Sequence, residues 1–170
     1  MTLPDDRTAF RAIIDESIQL ELNISELYFL FFEFFPEHAE FWWKLVEEEK
    51  NHAALIRSGL EYFEPMHRFP DRMIDKNIDE IISVNTELHN IIAACREHHP
   101  DQRQAFNTAY TLEQSAGELH FQRFIDSADT SDPIEKIFIR LNRDDHRHAE
   151  RIESIMRQLG IPIDKSLSLI

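Results

Sequence analysis

The sequence predicts an all-α protein whose helices pack as an antiparallel bundle, and three observations favour that class. The 170 residues include only three Gly and seven Pro, so long stretches lack the residues that interrupt helices. No segment alternates apolar and polar residues between turn signals, as a half-buried strand would. The Pro-free stretches are each roughly 20 to 30 residues long. Long helices joined by short links are typical of antiparallel bundles.

Five helices are expected, and Pro and Gly mark most of their ends. Asp132 followed by Pro133 is typical of an N-cap and a first helical position, so the last helix should begin there. Gly160, followed by an Ile and a Pro, is typical of a C-cap that ends the same helix. The longest irregular connection, residues 60–71, contains two Pro. The predicted helices lie near residues 5–35, 37–59, 72–98, 101–128 and 132–159.

The charge balance excludes two classes of partner. The chain has 18 Lys and Arg against 32 Asp and Glu, a formal net charge of −14 with His neutral. A nucleic-acid-binding protein or a polybasic membrane-surface protein needs a basic face, so we expect neither a nucleic-acid nor a membrane partner. The most apolar run, residues 27–35, includes Glu33 and is far shorter than the roughly 20 apolar residues of a spanning helix.

The N-terminus and the same apolar run bear on localisation and assembly. The first ten residues lack the basic region and apolar stretch of a secretory signal, so the sequence predicts a cytoplasmic protein. The run at 27–35 contains five Phe and suits a helix that is buried on several sides. We therefore expect a homodimer in which this run contributes to the interface.

Two segments of the chain repeat. Residues 20–29 align without gaps on residues 112–121, and both read L-E-x-x-x-x-E-L-[YH]-F. Residues 44–53 align in the same way on residues 140–149, and both read [KR]-L-x-x-[ED]-[ED]-x-x-H-A. The segments keep the same order in both halves, so the chain contains two related helix pairs.

The repeat predicts the organisation of the whole chain. One helix pair covers about residues 5–59 and the other about residues 101–159, with an extra helix at about 72–98 between them. All of these belong to a single domain over residues 1–170, a size that one hydrophobic core can support. The extra helix connects the two pairs as a crossover.

Six residues of the repeat are placed to hold two metal ions. An acid and a His three positions apart share one face of a helix, and each half has one such pair. Each half also has a lone Glu on the partner helix. Two lone Glu and two acid-x-x-His pairs from four helices form the ligand set of a di-iron or di-manganese carboxylate bundle. The candidate ligands are Glu21, Glu49, His52, Glu113, Asp145 and His148.

A single acid-x-x-His spacing is a weak signal in a chain this rich in acids. Glu64 and His67 also have it, but Pro65 between them disfavours a helical site. The alternative is a metal-free bundle whose repeated acids are solvated. Burying four carboxylates and two His without a metal is very costly, which favours the metal site. Cys95 is the only Cys, so a thiolate site and an internal disulfide are excluded.

At these residues the sequence resembles the rubrerythrin-like branch of the ferritin-like superfamily, over nearly the whole chain. Residues 47–53 are especially similar to the second helix of that family. The resemblance implies a ferritin-like four-helix bundle with the additional helix in the crossover. It also implies two carboxylate-bridged iron ions, for which manganese is an alternative. By position, the bridges would be Glu49 and Asp145, and the terminal ligands of the two metals would be Glu21 with His52 and Glu113 with His148.

Three departures from the family refine what the resemblance implies. The chain has no rubredoxin module with paired Cys, so a redox reaction would need a separate electron donor. Asp145 stands where Glu is usual, and Ala116 stands where the family has a second Glu that supports peroxide reduction. The resemblance implies an oxidoreductase that reacts with dioxygen or peroxide, as a peroxidase, oxidase or ferroxidase. The alternative is a non-catalytic protein for iron binding, sensing or storage with the same site.

Three further residues are candidates for hydrogen bonds to the ligands. Tyr28 and His120 occupy equivalent positions, seven residues after the lone Glu of each half, and seven residues return to the same helix face. Asp144 is similar to the first Asp in the Asp-Glu-x-Arg-His element of di-iron oxygenases, where that Asp orients a His across the bundle. It would therefore contact His52.

Overall fold

The computed structural model describes residues 6–66, 78–120 and 133–167 of the chain. Within the helices, many side chains of residues 6–10, 116–120 and 133–146 lie outside the description. The all-α class is confirmed for these residues, which contain no strand. Two short 3-10 turns, Pro36–His38 and Glu64–Met66, follow the first and second helices. The helices are α1 (Asp6–Phe34), α2 (Ala39–Phe63), α3 (Ile78–Glu97), α4 (Gln102–His120) and α5 (Pro133–Leu159).

The C-terminal end of α5 has the predicted Gly cap. Gly160 has φ of 68°, a left-handed conformation that a residue with a side chain adopts only with strain. The Gly160 N–H donates to the Arg157 carbonyl at 3.3 Å, and the Ile161 N–H donates to the Met156 carbonyl at 2.8 Å. This pair of bonds is a Schellman motif, which satisfies the last carbonyl groups of the helix. The predicted N-cap, Asp132, lies outside the described residues.

The predicted end of the second helix was wrong. We expected it at residue 59, but α2 continues through Gly59 to Phe63. A Gly inside a helix costs about 1 kcal/mol relative to Ala and does not by itself end the helix. Buried residues on both sides, Ile56 and Leu60, keep this part of α2 packed. The helix ends at the 3-10 turn that contains Pro65.

α1 and α2 form an antiparallel hairpin. Ser25 Oγ on α1 donates to the Val46 carbonyl oxygen on α2 at 3.1 Å. Further along α1, the Tyr28 ring lies 5.8 Å from the ring of Trp42, which comes earlier in α2. Pro36 begins the connection between the helices and, lacking an N–H, cannot continue α1.

α2 and α4 run in the same direction and lie across the bundle from each other, because the main contacts of each helix are with α1 and α5. The Trp42 ring near the start of α2 lies 4.8 Å from the ring of Phe106 near the start of α4. Further along both helices, Glu49 and Glu113 lie close together. α5 packs on both helices. It runs opposite to α4, because Asn107 near the start of α4 donates a hydrogen bond to the backbone just after the end of α5.

α3 packs along α1 through polar as well as apolar contacts. Asn85 on α3 donates to Glu16 Oε2 at 2.8 Å and accepts a bond of 2.9 Å from Asn23 Nδ2. At the other end of α3, Arg96 pairs with Glu26. Later residues of α3 therefore meet later residues of α1, so these two helices are parallel.

One hydrophobic core joins all five helices. Trp42 is fully buried at its centre, with ring centroids 5.1 Å from Phe31 and 4.8 Å from Phe106. α3 contributes residues such as Leu88, and α5 contributes Ile152 and others. In the described part of the chain, no helix has the length and apolar character that crossing a membrane requires.

Candidate metal centre

Five of the six predicted ligands meet in the interior of the molecule. They come from four helices, and none is more than 3% exposed. They form two groups of three, and within each group the possible ligand atoms lie within 4.8 Å of one another. Glu49 belongs to both groups. The first group is Glu21, Glu49 and His52, and the second is Glu49, Glu113 and His148.

In the first group, the three-residue spacing on α2 brings Glu49 and His52 together. His52 Nδ1 lies 3.0 Å from Glu49 Oε2 and 3.6 Å from Glu21 Oε2. Glu21 reaches this point from α1 because the hairpin aligns it with the same level of α2. An imidazole nitrogen and two carboxylate oxygens are ligands that suit iron, manganese and zinc alike.

In the second group, the other oxygen of Glu49 meets residues of α4 and α5. His148 Nδ1 lies 2.8 Å from Glu49 Oε1 and 3.6 Å from Glu113 Oε2. The rings of His52 and His148 lie 5.5 Å apart and are tilted by only 14°. The Glu49 carboxylate therefore stands between the two imidazoles, with one oxygen toward each, as a bridging carboxylate would.

Two atoms of the second group are left without a hydrogen bond. Glu49 Oε1 and His148 Nδ1 are close, but neither has a properly aligned hydrogen bond to a partner among the described residues. A buried polar atom without a partner is costly, and native proteins rarely keep one without a reason. A cation contacting both atoms would satisfy them. The carboxylate oxygens and imidazole nitrogens of the two groups, these two atoms included, therefore fit a metal ion.

Without a metal, protons on the two imidazoles compensate the buried carboxylates. Burial alone would lower the pKa of His52, but Glu21 and Glu49 outweigh burial and raise it to about 11. Burial likewise opposes the charged form of His148, yet Glu49 and Glu113 raise its pKa far above the ordinary value. Burial would raise the pKa of Glu49, and the positive charge of His148 reverses that effect and lowers it. A bound metal requires neutral imidazoles, so it must displace protons.

Tyr28 lies where the sequence predicts a hydrogen bond to a ligand. Its hydroxyl group donates to Glu113 Oε1 at 2.5 Å, and the side chain is fully buried. The other oxygen of Glu113 faces His148. Tyr28 therefore holds one oxygen of Glu113 and leaves the other directed at the second group.

Sequence reasoning missed Glu48. Its Oε2 lies 3.1 Å from His148 Nε2 and accepts a bond of 2.5 Å from the Arg151 guanidinium. Burial would raise the pKa of the Glu48 carboxyl, but hydrogen bonds from His148 and Arg151 lower it to about 2. The repeat contained the signal, because Glu48 aligns with Asp144, which we expected to contact the His of the opposite half.

Three predicted residues have side chains outside the described part of the structure. Asp145 and Asp144 belong to α5, and His120 is the last residue of α4. Their backbone is helical, and Asp145 precedes His148 by three residues on that helix. Their roles as second bridge and as hydrogen-bonding residues stay predictions.

Comparison of the chain with protein-family models, with curated proteins and with solved structures finds no match. The function is therefore inferred from the site.

Proposed function

We propose that this protein is a di-iron carboxylate protein of the ferritin-like type that reacts with dioxygen or peroxide. The observation that carries the proposal is the position of Glu49, whose two oxygens face two separate groups of buried ligands. A single metal would not need a carboxylate shared in this way. The lack of an aligned hydrogen bond at Glu49 Oε1 and His148 Nδ1 also supports a cation between them.

The ligands divide between two metal ions. Glu21 and His52 would hold one iron and Glu113 and His148 the other, with Glu49 bridging. By position, the resemblance to rubrerythrins implies Asp145 as a second bridge. When bound, the two irons would supply the electrons that reduce dioxygen or peroxide, and manganese is the alternative metal because it accepts the same ligands.

The burial of the ligands excludes water from the centre, and neighbouring residues orient the ligands. Exposures of 3% or less keep bulk water from the ligands, which strengthens their attraction for a cation. Tyr28 fixes one oxygen of Glu113 through its bond of 2.5 Å. Glu48 contacts the nitrogen of His148 that faces away from the centre. Such outer hydrogen bonds orient ligands and tune the bound metal.

The directions of the helices support a ferritin-like bundle of α1, α2, α4 and α5. α2 and α4 are parallel, so the chain must return along the length of the bundle between them. α3 makes that return, packed along α1. We also propose that the chain is related to rubrerythrins, and the ligand arrangement alone supports this relation. A redox reaction at this centre would take its electrons from a donor outside these 170 residues, which contain a single Cys.

A non-catalytic role in iron binding, sensing or storage is the second candidate. Ala116 argues against the peroxidase form of the first candidate and leaves an oxidase, because it occupies the position of the second Glu that supports peroxide reduction in the family that the sequence resembles. Both candidates need the same two-metal centre. They differ in whether the oxidised centre is reduced and used again.

We propose a homodimer for the assembly. Phe29 and Trp43 are 37% and 40% exposed, and their rings lie 6.5 Å apart across the α1–α2 hairpin. Phe32 stacks on Phe29 at 5.7 Å, which completes an exposed aromatic patch. Sedimentation at several concentrations tests the dimer, and a monomer throughout would contradict it.

The experiment that separates the candidate functions starts from protein loaded anaerobically with Fe(II). Dioxygen or hydrogen peroxide is then added, with and without a chemical reductant. An enzyme consumes many equivalents of oxidant per centre while reductant lasts. A storage or sensing protein oxidises its iron once and stops. Glu49→Ala should abolish either response, whereas Glu47→Ala, an exposed acid on the same helix, should change neither.

A further inference from the structure

We propose that the groove between the start of α2 and the C-terminal half of α5 binds a zwitterion the size of a dipeptide with apolar side chains. The groove is open to solvent and has a volume of about 480 Å³, within the range of small-molecule sites. None of the five buried candidate ligands lines it. The groove is therefore a second site, and its ligand does not depend on the proposed metal centre.

The floor of the groove is apolar and held in place by the core. Phe41 from α2 and Ile155 from α5 line the groove and pack against the hydrophobic core behind it. The Phe41 ring lies 5.0 Å from the ring of Trp42 and 5.9 Å from that of Phe106. These contacts fix a partly covered apolar surface, which an apolar side chain of a ligand would remove further from water.

The two ends of the groove carry opposite charges. Glu40 lies one helical turn before Lys44 on α2, and both line the groove. Glu37, three residues before Glu40, adds a second carboxylate at the acidic end. Arg151 of α5 belongs to the basic end, because its guanidinium bonds to Glu48, one turn beyond Lys44. A ligand along the groove would thus meet acids at one end and bases at the other.

These charges are available to a ligand. In the part of the chain that the structure describes, Glu37, Glu40 and Lys44 form no ion pair with another residue. The Arg151 guanidinium bonds to Glu48 through Nη1, and its Nη2 and Nε groups bond to no other described residue. A carboxylate could therefore bind at the basic end while the bond between Arg151 and Glu48 is kept.

The distance between the two ends selects the length of the ligand. The four residues from Glu40 to Lys44 rise by about 6 Å along the helix. An extended peptide spans about 3.3–3.6 Å per residue, so the ammonium and the carboxylate of a dipeptide lie about 7 Å apart. The ammonium would face the acids and the carboxylate the bases, with both side chains on the apolar floor. An internal segment of a protein has neither terminal charge and does not fit in this way.

The test is an NMR titration of isotope-labelled, metal-free protein at neutral pH with the dipeptide Leu-Leu. We expect saturable shifts of the backbone amide signals of Phe41, Ser154 and Ile155, all of which line the groove. N-acetyl-Leu-Leu lacks the ammonium and Leu-Leu amide lacks the carboxylate. Because one partly exposed ion pair is lost, each blocked form should bind about two- to fivefold more weakly than Leu-Leu.

Variants assign each charge of the dipeptide to one end of the groove. Lys44→Ala should weaken the binding of Leu-Leu about two- to fivefold and leave that of Leu-Leu amide unchanged. Glu40→Gln should weaken the binding of Leu-Leu by a similar factor and leave that of N-acetyl-Leu-Leu unchanged. Lys136→Ala and Glu47→Gln remove exposed charges outside the groove from the same two helices and should change none of the affinities.

Four outcomes would overturn the proposal. They are equal affinities of the three forms, equal effects of Lys44→Ala on Leu-Leu and on its amide, shifts confined to residues outside the groove, or no shifts at millimolar concentrations. Because the protein is free of metal in this test, a negative result leaves the proposed metal centre standing. Failure of the protein to bind iron would likewise leave the dipeptide site standing.

Discussion

Glu49 determines the chemistry of the site because of where its two oxygens lie. Each faces one imidazole, at 3.0 Å for His52 and 2.8 Å for His148. At 1% exposure, the carboxylate is out of reach of bulk water and depends on positive charge nearby. Protons on the imidazoles supply that charge in the metal-free protein, and metal ions would supply it in the loaded protein.

Tyr28→Phe should weaken the site and destabilise the fold. The change removes one hydroxyl group and leaves Glu113 Oε1 without its bond of 2.5 Å. An unsatisfied buried acceptor costs about 1–3 kcal/mol in the free energy of unfolding, and the affinity for metal should fall about 10-fold or more. Urea unfolding and metal titration measure the two effects. Tyr110→Phe, at a half-buried position on α4, is the control and should change stability by less than about 0.5 kcal/mol. Equal effects of the two substitutions would contradict the role of Tyr28.

Spacing in the sequence predicted five residues that the structure brings together, because a helix fixes which positions share a face. Glu48 was not predicted, since its contact depends on how α2 and α5 are oriented about their axes. Spacing alone does not show whether an acid next to a predicted ligand faces another ligand or faces water. The repeat alone held that information, through Asp144.

At the scale of the helices, a helix end could be predicted where a residue cannot continue the helix. It could not be predicted where a residue only makes the helix less stable. Pro36 stops α1 and Gly160 caps α5 as expected, because each has a specific backbone requirement. Gly59 lies inside α2 because its cost is small compared with the burial of its neighbours. The packing of α3 along α1 through Asn85 and Asn23 had no signal that sequence reasoning used.

Asn85→Ala should destabilise the protein without removing metal binding. Asn85 is 5% exposed and bonds to Glu16 on α1, and it accepts the amide of buried Asn23. The substitution leaves the Asn23 donor unpaired, which costs about 1–3 kcal/mol. Because α3 contributes none of the described ligands, two metal ions should still bind. Asn90→Ala, at an exposed position on the same helix, should have almost no effect in thermal unfolding. Loss of metal binding in Asn85→Ala alone would mean that α3 supports the centre directly.

At the scale of the whole molecule, the excess of acids is partly internal. The net charge is −14, and some of the carboxylates that contribute to it are not on the surface. Three carboxylates of the described structure are buried in one cluster, on Glu21, Glu49 and Glu113. The repeat predicted two helix pairs with one further helix between them, and α3 lies between α2 and α4 in the order of the described helices. The packing of α3 on α1 could not be predicted, because it depends on side-chain contacts between distant segments.

The metal-free protein should lose stability as the pH rises. The pKa of His52 is about 11 in the folded protein and near 6.5 when unfolded, so its proton stabilises the folded state. That contribution is complete below the unfolded pKa and is lost as the pH rises toward the folded pKa. His148 acts in the same direction. Thermal unfolding should show a lower midpoint at about pH 9 than at about pH 7 without metal, and a smaller difference with metal bound. A midpoint that rises over this range without metal would contradict the assignment.

The most direct test of the two-metal centre is anomalous X-ray scattering from crystals loaded anaerobically with Fe(II). Data collected on either side of the iron absorption edge identify the metal and its position. We expect two anomalous peaks inside the molecule, one beside His52 and one beside His148, with the Glu49 carboxylate between them. Glu49→Ala crystals should lose both peaks or keep one weakly. Iron that binds only at the surface, or a buried cluster without any peak after loading, would contradict the two-metal centre.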